Sequence, residues 1–286
     1  MPGLEATVER LCRVSIEQCI DPHSRIEWPE RVEEDAWYHS PELVSLFGTP
    51  AYEGLDDGRR KRLSFFEAVN FFSLNIHGER MLIEGLARRL YRRDHEAISP
   101  YLHHFLDEEN KHMSYFGRFC TRYAGKVYPE KKLPFAQEFA AGEEDFLFFA
   151  KVLVFEEIVD VYNRRMARDE RIAPIAREIH WLHHFEEARH LVFGRELVAE
   201  LFARHREHWS DEVLRGVRAT LGAYLGATWK EYYNPEAYRD AGLDDAYELR
   251  RAALASPAGR AHRAEVSQGC LRFLLQGGIL EESPPL

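Results

Sequence analysis

The sequence predicts an all-α protein whose core is a four-helix bundle. After position 60, apolar residues recur every three or four positions, which is the period of a helix, and no segment alternates as a strand does. The helical segments fall into two pairs, and each pair is joined by a short break that carries a turn signal. A longer connection links the two pairs, as in bundles with one crossover.

Composition narrows the classes of protein. The 286 residues are 45% hydrophobic and 30% charged, a balance that excludes a mainly disordered chain. Acidic residues outnumber basic ones by 48 to 38, and a net charge of −10 argues against nucleic acid or an anionic membrane surface as a partner. We expect one helical domain over residues 1–286, with the bundle core at about 60–209 and flanking segments at 1–59 and 210–286.

The sequence also bears on localisation. The longest apolar stretch, residues 146–155, is too short to span a bilayer and contains Lys151. The first twenty residues lack the apolar stretch of a secretory signal. Four cysteines without a C-x-x-C pair do not form a disulfide framework. We therefore expect a cytoplasmic protein without a membrane-spanning segment.

The first pair of helices is predicted within residues 60–125. Its first helix runs from about 60 to 93, and a break follows at 94–100. Ser99 is the expected N-cap and Pro100 the first helical residue of the second helix, which continues to about Gly125.

The second pair follows a connection at residues 127–134. The third helix is predicted at about 138–168, and Pro174 opens a fourth helix that continues to about Trp209. Further helices are expected at about 211–232 and 243–275. Residues 1–57 are predicted to hold turns and short helices.

A short motif, E-E-x-[K/R]-H, occurs once in the second helix and once in the fourth. The two copies occupy residues 108–112 and 186–190, 78 residues apart. Residues three apart lie on one face of a helix, so the second Glu and the His of each copy can bind one metal ion. These pairs are Glu109 with His112 and Glu187 with His190. One such pair is a weak signal, but two at corresponding positions of two hairpins carry weight.

The other helix of each hairpin carries a Glu inside an apolar segment. Glu79 precedes Glu109 by 30 residues, and Glu156 precedes Glu187 by 31. These separations place each pair at one level of an antiparallel hairpin. A buried Glu needs a counter-charge, and a metal ion supplies one.

Both assignments have close competitors. Glu84 lies five residues nearer to the turn than Glu79. Glu157 is adjacent to Glu156, and the 78-residue repeat favours Glu157. From the residues alone both choices stay open.

Four carboxylates and two imidazoles would then meet inside the bundle. This is the arrangement of ferritin-like di-iron carboxylate proteins. Oxygen-rich ligation with imidazole suits two iron ions, or manganese as the alternative, better than a metal that prefers thiolates. The competing interpretation is a metal-free bundle in which the same residues form salt bridges.

His183 is a seventh candidate ligand. It lies four residues before Glu187, so the pattern H-x3-E-x2-H places three donors on one side of the fourth helix. The equivalent position in the second helix is Phe105, and the two metal positions would therefore differ by one nitrogen ligand. We interpret His180 and His184 as ordinary core or surface residues.

One longer run extends this pattern. Residues 167–190 read A-R-D-E-R-I-A-P-x8-H-x3-E-x2-H, with Glu156 upstream, and R-K-R-L at residues 60–63 precedes Glu79. Together these features resemble the p-aminobenzoate N-oxygenase family of ferritin-like di-iron enzymes, over about residues 60–205. The resemblance favours Glu79 over Glu84 and Glu156 over Glu157. It implies seven metal ligands, namely Glu79, Glu109, His112, Glu156, His183, Glu187 and His190.

Glu108 and Glu186 depart from the family pattern, which usually has Asp before the ligand Glu of each E-x-x-H. We expect these two carboxylates to accept hydrogen bonds from ligand imidazoles, as a layer behind the ligands. We identify no catalytic residue beyond the metal ligands.

The resemblance implies an O2-dependent oxygenase, a monooxygenase that oxidises an amine nitrogen of a small organic substrate. Alternatives with the same ligands are a hydroxylase or desaturase acting at carbon and a non-catalytic iron-binding bundle. The sequence has no Gly-rich phosphate loop or nucleotide fingerprint, so we expect an external electron donor, a ferredoxin or a reductase. The oligomeric state stays open, with a homodimer among the alternatives.

Overall fold

The computed structural model describes residues 3–130 and 139–286. Within these ranges the regular elements are helical, and a single β-bridge between Trp37 and Ile172 is the only extended pairing. The predicted all-α class is confirmed. The α-helices are α1 (Leu4–Glu17), α2 (Pro22–Arg25), α3 (Pro50–Glu53), α4 (Asp57–Ala87), α5 (Ser99–Phe119), α6 (Glu143–Met166), α7 (Pro174–His205), α8 (Asp211–Tyr232), α9 (Pro235–Asp240), α10 (Ala246–Ala255) and α11 (Pro257–Gln276).

The two predicted hairpins are present, as α4 with α5 and α6 with α7. Helix α4 begins earlier than predicted, because the Asp56 side chain accepts a hydrogen bond from the backbone N–H of Arg59 and caps the helix. It also ends earlier, at Ala87 rather than near residue 93. Tyr91, at φ 54°, adopts the left-handed region, which a continuing helix does not allow.

The start of α5 differs in one detail from the prediction. Ser99 is the first helical residue, and Ile98 occupies the N-cap position. The Ser99 hydroxyl instead accepts from Tyr91 N–H at 2.8 Å and donates to the His95 carbonyl at 2.8 Å, so it fixes the preceding turn. At the other end a π-helical turn, Cys120–Ala124, leads to Gly125 at φ 69°, where the sequence predicts the end.

Helices α6 and α7 are both shorter than predicted. Gly142, at φ 76°, precedes α6, so the helix begins at Glu143 instead of near residue 138. Residue 138 and much of the predicted connection at 127–134 lie outside the described residues. Helix α7 begins at Pro174 as predicted and ends at His205, four residues before Trp209.

Beyond the bundle, α8 has the predicted bounds, but the single helix expected at 243–275 is wrong. Pro257 lacks the N–H that a continuing helix needs, so α10 ends at Ala255 and α11 begins at Pro257. Ser256 caps α11 by accepting from Gly259 N–H at 2.8 Å. At the N-terminus, α1 is longer than the short helices expected there, and it packs on α5 and α7.

A close approach between α4 and α6 helps to position the centre of the bundle. A Cβ at Gly78 would lie 2.8 Å from the Phe155 ring, so the missing side chain lets the two helices come together. Glu79 and Glu156 directly follow these two residues and point into the interior, where both are buried. In the described ranges no helix combines the length and apolar character needed to cross a bilayer.

Candidate metal centre

The seven residues predicted as ligands lie together in the middle of the bundle. Their donor atoms form two groups, and within each group the atoms lie within 4.8 Å of one another. Each of the seven side chains belongs to a residue at most 5% exposed. The first group is Glu79, His112 and His183, and the second is Glu109, Glu156, Glu187 and His190.

Glu109 and Glu187 face both groups. Glu109 Oε2 lies 3.3 Å from His112 Nδ1, and its Oε1 lies 3.0 Å from His190 Nδ1. Glu187 Oε1 lies 2.8 Å from His183 Nε2, and its Oε2 lies 3.2 Å from His190 Nδ1. Each carboxylate thus presents one oxygen to each group, as a ligand shared between two metal ions does.

Glu79 and Glu156 belong to different groups of donors. Glu79 Oε1 is 3.5 Å from His183 Nε2, and neither oxygen of Glu79 or Glu156 has a hydrogen-bond partner within the described part of the chain. Burial raises the pKa of both carboxyls well above the usual range, and the negative charges of Glu109 and Glu187 raise it further. Both side chains therefore need a cation if they are to ionise.

The donor set fits a pair of divalent cations. Two divalent cations carry four positive charges, which neutralise the four carboxylates. They also provide a partner for the oxygens of Glu79 and Glu156. The two groups contain only carboxylate and imidazole donors, which suit iron or manganese. In a metal-free bundle Glu79 and Glu156 would have to hold protons, because they have no hydrogen-bond partner in the described part of the chain. Their burial without such a partner therefore favours a metal site over a bundle held by salt bridges alone.

Two of the histidines are held from the opposite helix. His112 on α5 has its Nε2 2.9 Å from Oε2 of Glu186 on α7, and His190 on α7 has its Nε2 2.8 Å from Oε2 of Glu108 on α5. An Nε2–H that donates to a carboxylate leaves Nδ1 of each ring as a lone pair facing the cluster. The sequence predicts that Glu108 and Glu186 accept hydrogen bonds from ligand imidazoles. It does not predict that each carboxylate contacts the histidine of the other helix.

Two basic side chains complete the arrangement. Arg189 donates to Glu108 Oε1 at 2.7 Å, and Lys111 Nζ lies 3.4 Å from Glu186 Oε1. Burial alone would raise the pKa of Glu108, but the hydrogen bond from His190 and the charge of Arg189 hold it at about 2. Neither basic residue was predicted to take part in the site, although each is the K/R position of the E-E-x-[K/R]-H motif.

His183 has a different kind of partner. Its Nδ1 lies 2.7 Å from the side-chain amide of Asn163 on α6, and the other end of that amide lies 2.9 Å from Nδ1 of His180. For Nε2 of His183 to bind a metal ion, its Nδ1 must carry the proton and donate it to the amide oxygen of Asn163. All three residues are buried, and the Nε2 of His183 faces Glu79 and Glu187. Asn163 was not among the residues predicted from the sequence. Its position two turns after Glu156, on the same face of α6, is the signal that could have found it.

The competing residues lie elsewhere. Glu84 is exposed on α4. Glu157 accepts from Arg195 Nε at 2.5 Å, on the side of α6 turned away from the cluster. His184 pairs with Asp160 at 2.5 Å. The structure therefore brings Glu79 and Glu156 to the cluster and leaves out Glu84, Glu157 and His184.

Comparison with known proteins extends beyond the bundle. The sequence matches the family model described as P-aminobenzoate N-oxygenase AurF over residues 2–278, so the match includes both flanking segments as well as residues 60–205. Uncharacterized proteins of Mycobacterium bovis and Mycobacterium tuberculosis are 25% identical over 200 residues, which is 66% of this chain and 59% of theirs. The matched part thus spans about three fifths of the length of these curated relatives.

Proposed function

The chain belongs to the p-aminobenzoate N-oxygenase AurF family, a family of oxygenases, and from this membership we propose that it is an O2-dependent non-haem di-iron oxygenase. Its proposed substrate is a small organic amine, which it oxidises at nitrogen. The observation that carries the proposal is the cluster itself, in which the buried carboxylates Glu109 and Glu187 face two groups of donors at once.

The proposed ligands are divided unequally between the two metal ions. Glu79, His112 and His183 would hold one ion, Glu156 and His190 the other, and Glu109 and Glu187 would be shared. One position then has two nitrogen donors and the other has one. Iron is the proposed metal, and manganese has the same preference for these donors.

When bound, the two iron ions supply the binding and reduction of O2. The chain supplies orientation and a dry interior. Glu186 and Glu108 fix the rings of His112 and His190 so that Nδ1 faces inward. Burial of the cluster excludes water, so the fixed charges act in a medium of low dielectric constant.

The proposed reaction consumes electrons that the substrate does not provide. An amine R–NH2, O2, two electrons and two protons give R–NHOH and water. An external donor is therefore part of the proposal, and a one-electron carrier must act twice per turnover.

The test loads the protein with iron, reduces it chemically, and mixes it with ¹⁸O2 and a panel of arylamines, aliphatic amines and carbon substrates. Mass spectrometry should find ¹⁸O on the nitrogen of an arylamine. Oxygen found only at carbon would replace this proposal by the hydroxylase. Bound iron that oxidises nothing in the panel would point to a non-catalytic iron-binding bundle.

Glu109 provides the matched variant for this experiment. Glu109→Ala should lose both iron and product, because a donor shared by the two groups is removed. Glu84→Ala is the control, since that exposed carboxylate on the same hairpin lies outside the cluster. Equal iron content in the two variants would contradict the proposed site.

A further inference from the structure

A basic cavity lies on the outer face of α7, away from the donor atoms. Its volume is about 510 Å³, and its walls come from α1, α7 and the residues that follow α6. None of the described residues that line it is acidic. The residues that matter here are three apolar ones, Trp181, Phe185 and Val192, and three arginines, Arg10, Arg168 and Arg189.

The charge of this surface is opposite to that of the whole chain, which carries −10. Arg10 and Arg168 are exposed, and neither forms an ion pair with an acidic residue in the described ranges. At the edge, Arg25 lies over the Trp181 ring at 5.3 Å and pairs with Glu178. Trp181 is 36% exposed, so a partly exposed apolar centre lies beside Arg10 and Arg168, while the charges of Arg25 and Arg189 are paired with Glu178 and Glu108.

The cavity wall is two hydrogen bonds away from a proposed metal ligand. Arg189, which lines the cavity, donates to Glu108 Oε1 at 2.7 Å. Glu108 Oε2 in turn lies 2.8 Å from His190 Nε2. Electron transfer slows steeply with distance, and these two hydrogen bonds join the cavity wall directly to a proposed ligand.

We propose that this cavity and its edge form the docking surface for an acidic one-electron carrier protein. Carboxylates of the carrier pair with Arg10 and Arg168, and its apolar contact covers Trp181 and Val192. A patch that joins exposed positive charges to a small apolar centre suits the transient, charge-steered interfaces of redox partners. This proposal rests on the proposed oxygenase function, and it assigns the site at which the external electrons enter.

The electron count closes with two encounters. In each encounter the reduced carrier would lose one electron, and one ferric ion held by the proposed ligands would accept it and become ferrous. Two encounters supply the two electrons of the proposed reaction, and its two protons come from water. The oxidised carrier leaves after each transfer, which the weak, charge-dominated contact permits.

The experiment uses an acidic [2Fe–2S] ferredoxin as the carrier. The test variant is Arg10→Glu/Arg168→Glu, and the control is Arg88→Glu/Arg93→Glu, which reverses two exposed arginines near the end of α4. Calorimetry measures ferredoxin binding to the metal-free proteins, and anaerobic stopped-flow absorbance measures reduction of the iron-loaded proteins. At low salt the test variant should bind ferredoxin at least about tenfold more weakly than wild type, and ferredoxin should reduce it at least about tenfold more slowly. Both differences should shrink with added salt.

Each result has one meaning. The docking surface is overturned if ferredoxin binds and reduces wild type and the test variant equally. It is also overturned if ferredoxin does not bind wild type. An equal loss in the control would show an effect of net charge alone and would also overturn it. Reduction by dithionite should be the same in all variants. If dithionite-reduced wild type then fails to oxidise any substrate, the proposed function fails, while the binding result on metal-free protein still stands.

Discussion

Asn163 holds the ring of His183 through a neutral amide, which lies 2.7 Å from the ring Nδ1 and can accept its proton through the amide oxygen when Nε2 binds metal. The other two imidazoles of the cluster are held by the carboxylates of Glu186 and Glu108. A carboxylate partner makes an imidazole a stronger donor to metal than an amide partner does. His183 therefore differs from the other histidines in the charge of its partner as well as in the ring nitrogen that faces the cluster.

Asn163→Asp should lower the reduction potential of the bound iron, because it places a negative charge beside His183. Asn163→Leu should instead lower iron affinity by about 10- to 100-fold, since the ring loses the group that orients it. Spectroscopic redox titration measures the first effect and competition with a chelator the second. Equal potentials in wild type and Asn163→Asp would mean that the amide does not tune His183.

Replacement of Glu156 and of its neighbour tests the register of α6. Glu156→Gln should reduce iron content and slow oxidation by O2, because its oxygens have no other partner in the described part of the chain. Glu157→Gln should keep the iron, since this side chain binds Arg195 instead. Metal analysis of the two purified variants measures their iron content. A larger loss of iron in Glu157→Gln than in Glu156→Gln would contradict the proposed ligand set.

Local spacing explains why so much of the cluster could be predicted. Glu109 and His112 lie three residues apart on one helix, so the sequence alone places them on one face, and the same holds for Glu187 and His190. The contact of Asn163 with His183 joins α6 to α7 and depends on how the two helices are rotated. No spacing rule within one helix specifies that rotation.

Other features that the prediction missed do have signals in the sequence. Ser256 and Pro257 are a typical N-cap and first residue of a helix, yet the apolar repeat continues across them. Lys111 and Arg189 occupy the same position in both copies of the motif. Their role became visible only when the structure placed Glu186 and Glu108 beside them.

Removal of the Arg189 guanidinium should destabilise the metal-free protein. Arg189 and Glu108 are 5% and 3% exposed, and breaking a buried pair costs about 3–5 kcal/mol because one charge stays behind. Arg189→Leu should therefore lower the free energy of unfolding by roughly that amount, and adding Glu108→Gln should recover part of it. Urea unfolding monitored by circular dichroism measures these values.

An exposed pair provides the control for this measurement. Arg204 and Glu200 form an ion pair at 2.5 Å on the surface of α7. Arg204→Leu should change the free energy of unfolding by less than about 1 kcal/mol, as exposed pairs do. A loss as small as this for Arg189→Leu would show that the charge of Glu108 is balanced by His190 alone.

Glu67 should make the stability of the metal-free protein fall as pH rises from about 4.5 to 8. The side chain is buried on α4 and accepts a short hydrogen bond from Ser45, whose hydroxyl lies 2.6 Å from that of Tyr238. Burial raises the pKa of Glu67 from 4.5 to about 8, although the hydrogen bond from Ser45 lowers it. The folded state then holds a proton that the unfolded state has lost, so folding becomes less favourable as pH rises through this window.

Glu67→Gln removes this dependence, and its side-chain oxygen can still accept the hydrogen bond from Ser45. Its unfolding free energy should match wild type near pH 4.5 and exceed it by on the order of a few kcal/mol near pH 8. Glu84→Gln, at an exposed site, is the control, and because it keeps Glu67 its unfolding free energy should fall with pH as that of wild type does. A difference between Glu67→Gln and wild type that stays constant with pH would mean that Glu67 is ionised in the folded protein and that its hydrogen bond, not a proton, offsets the cost of burial.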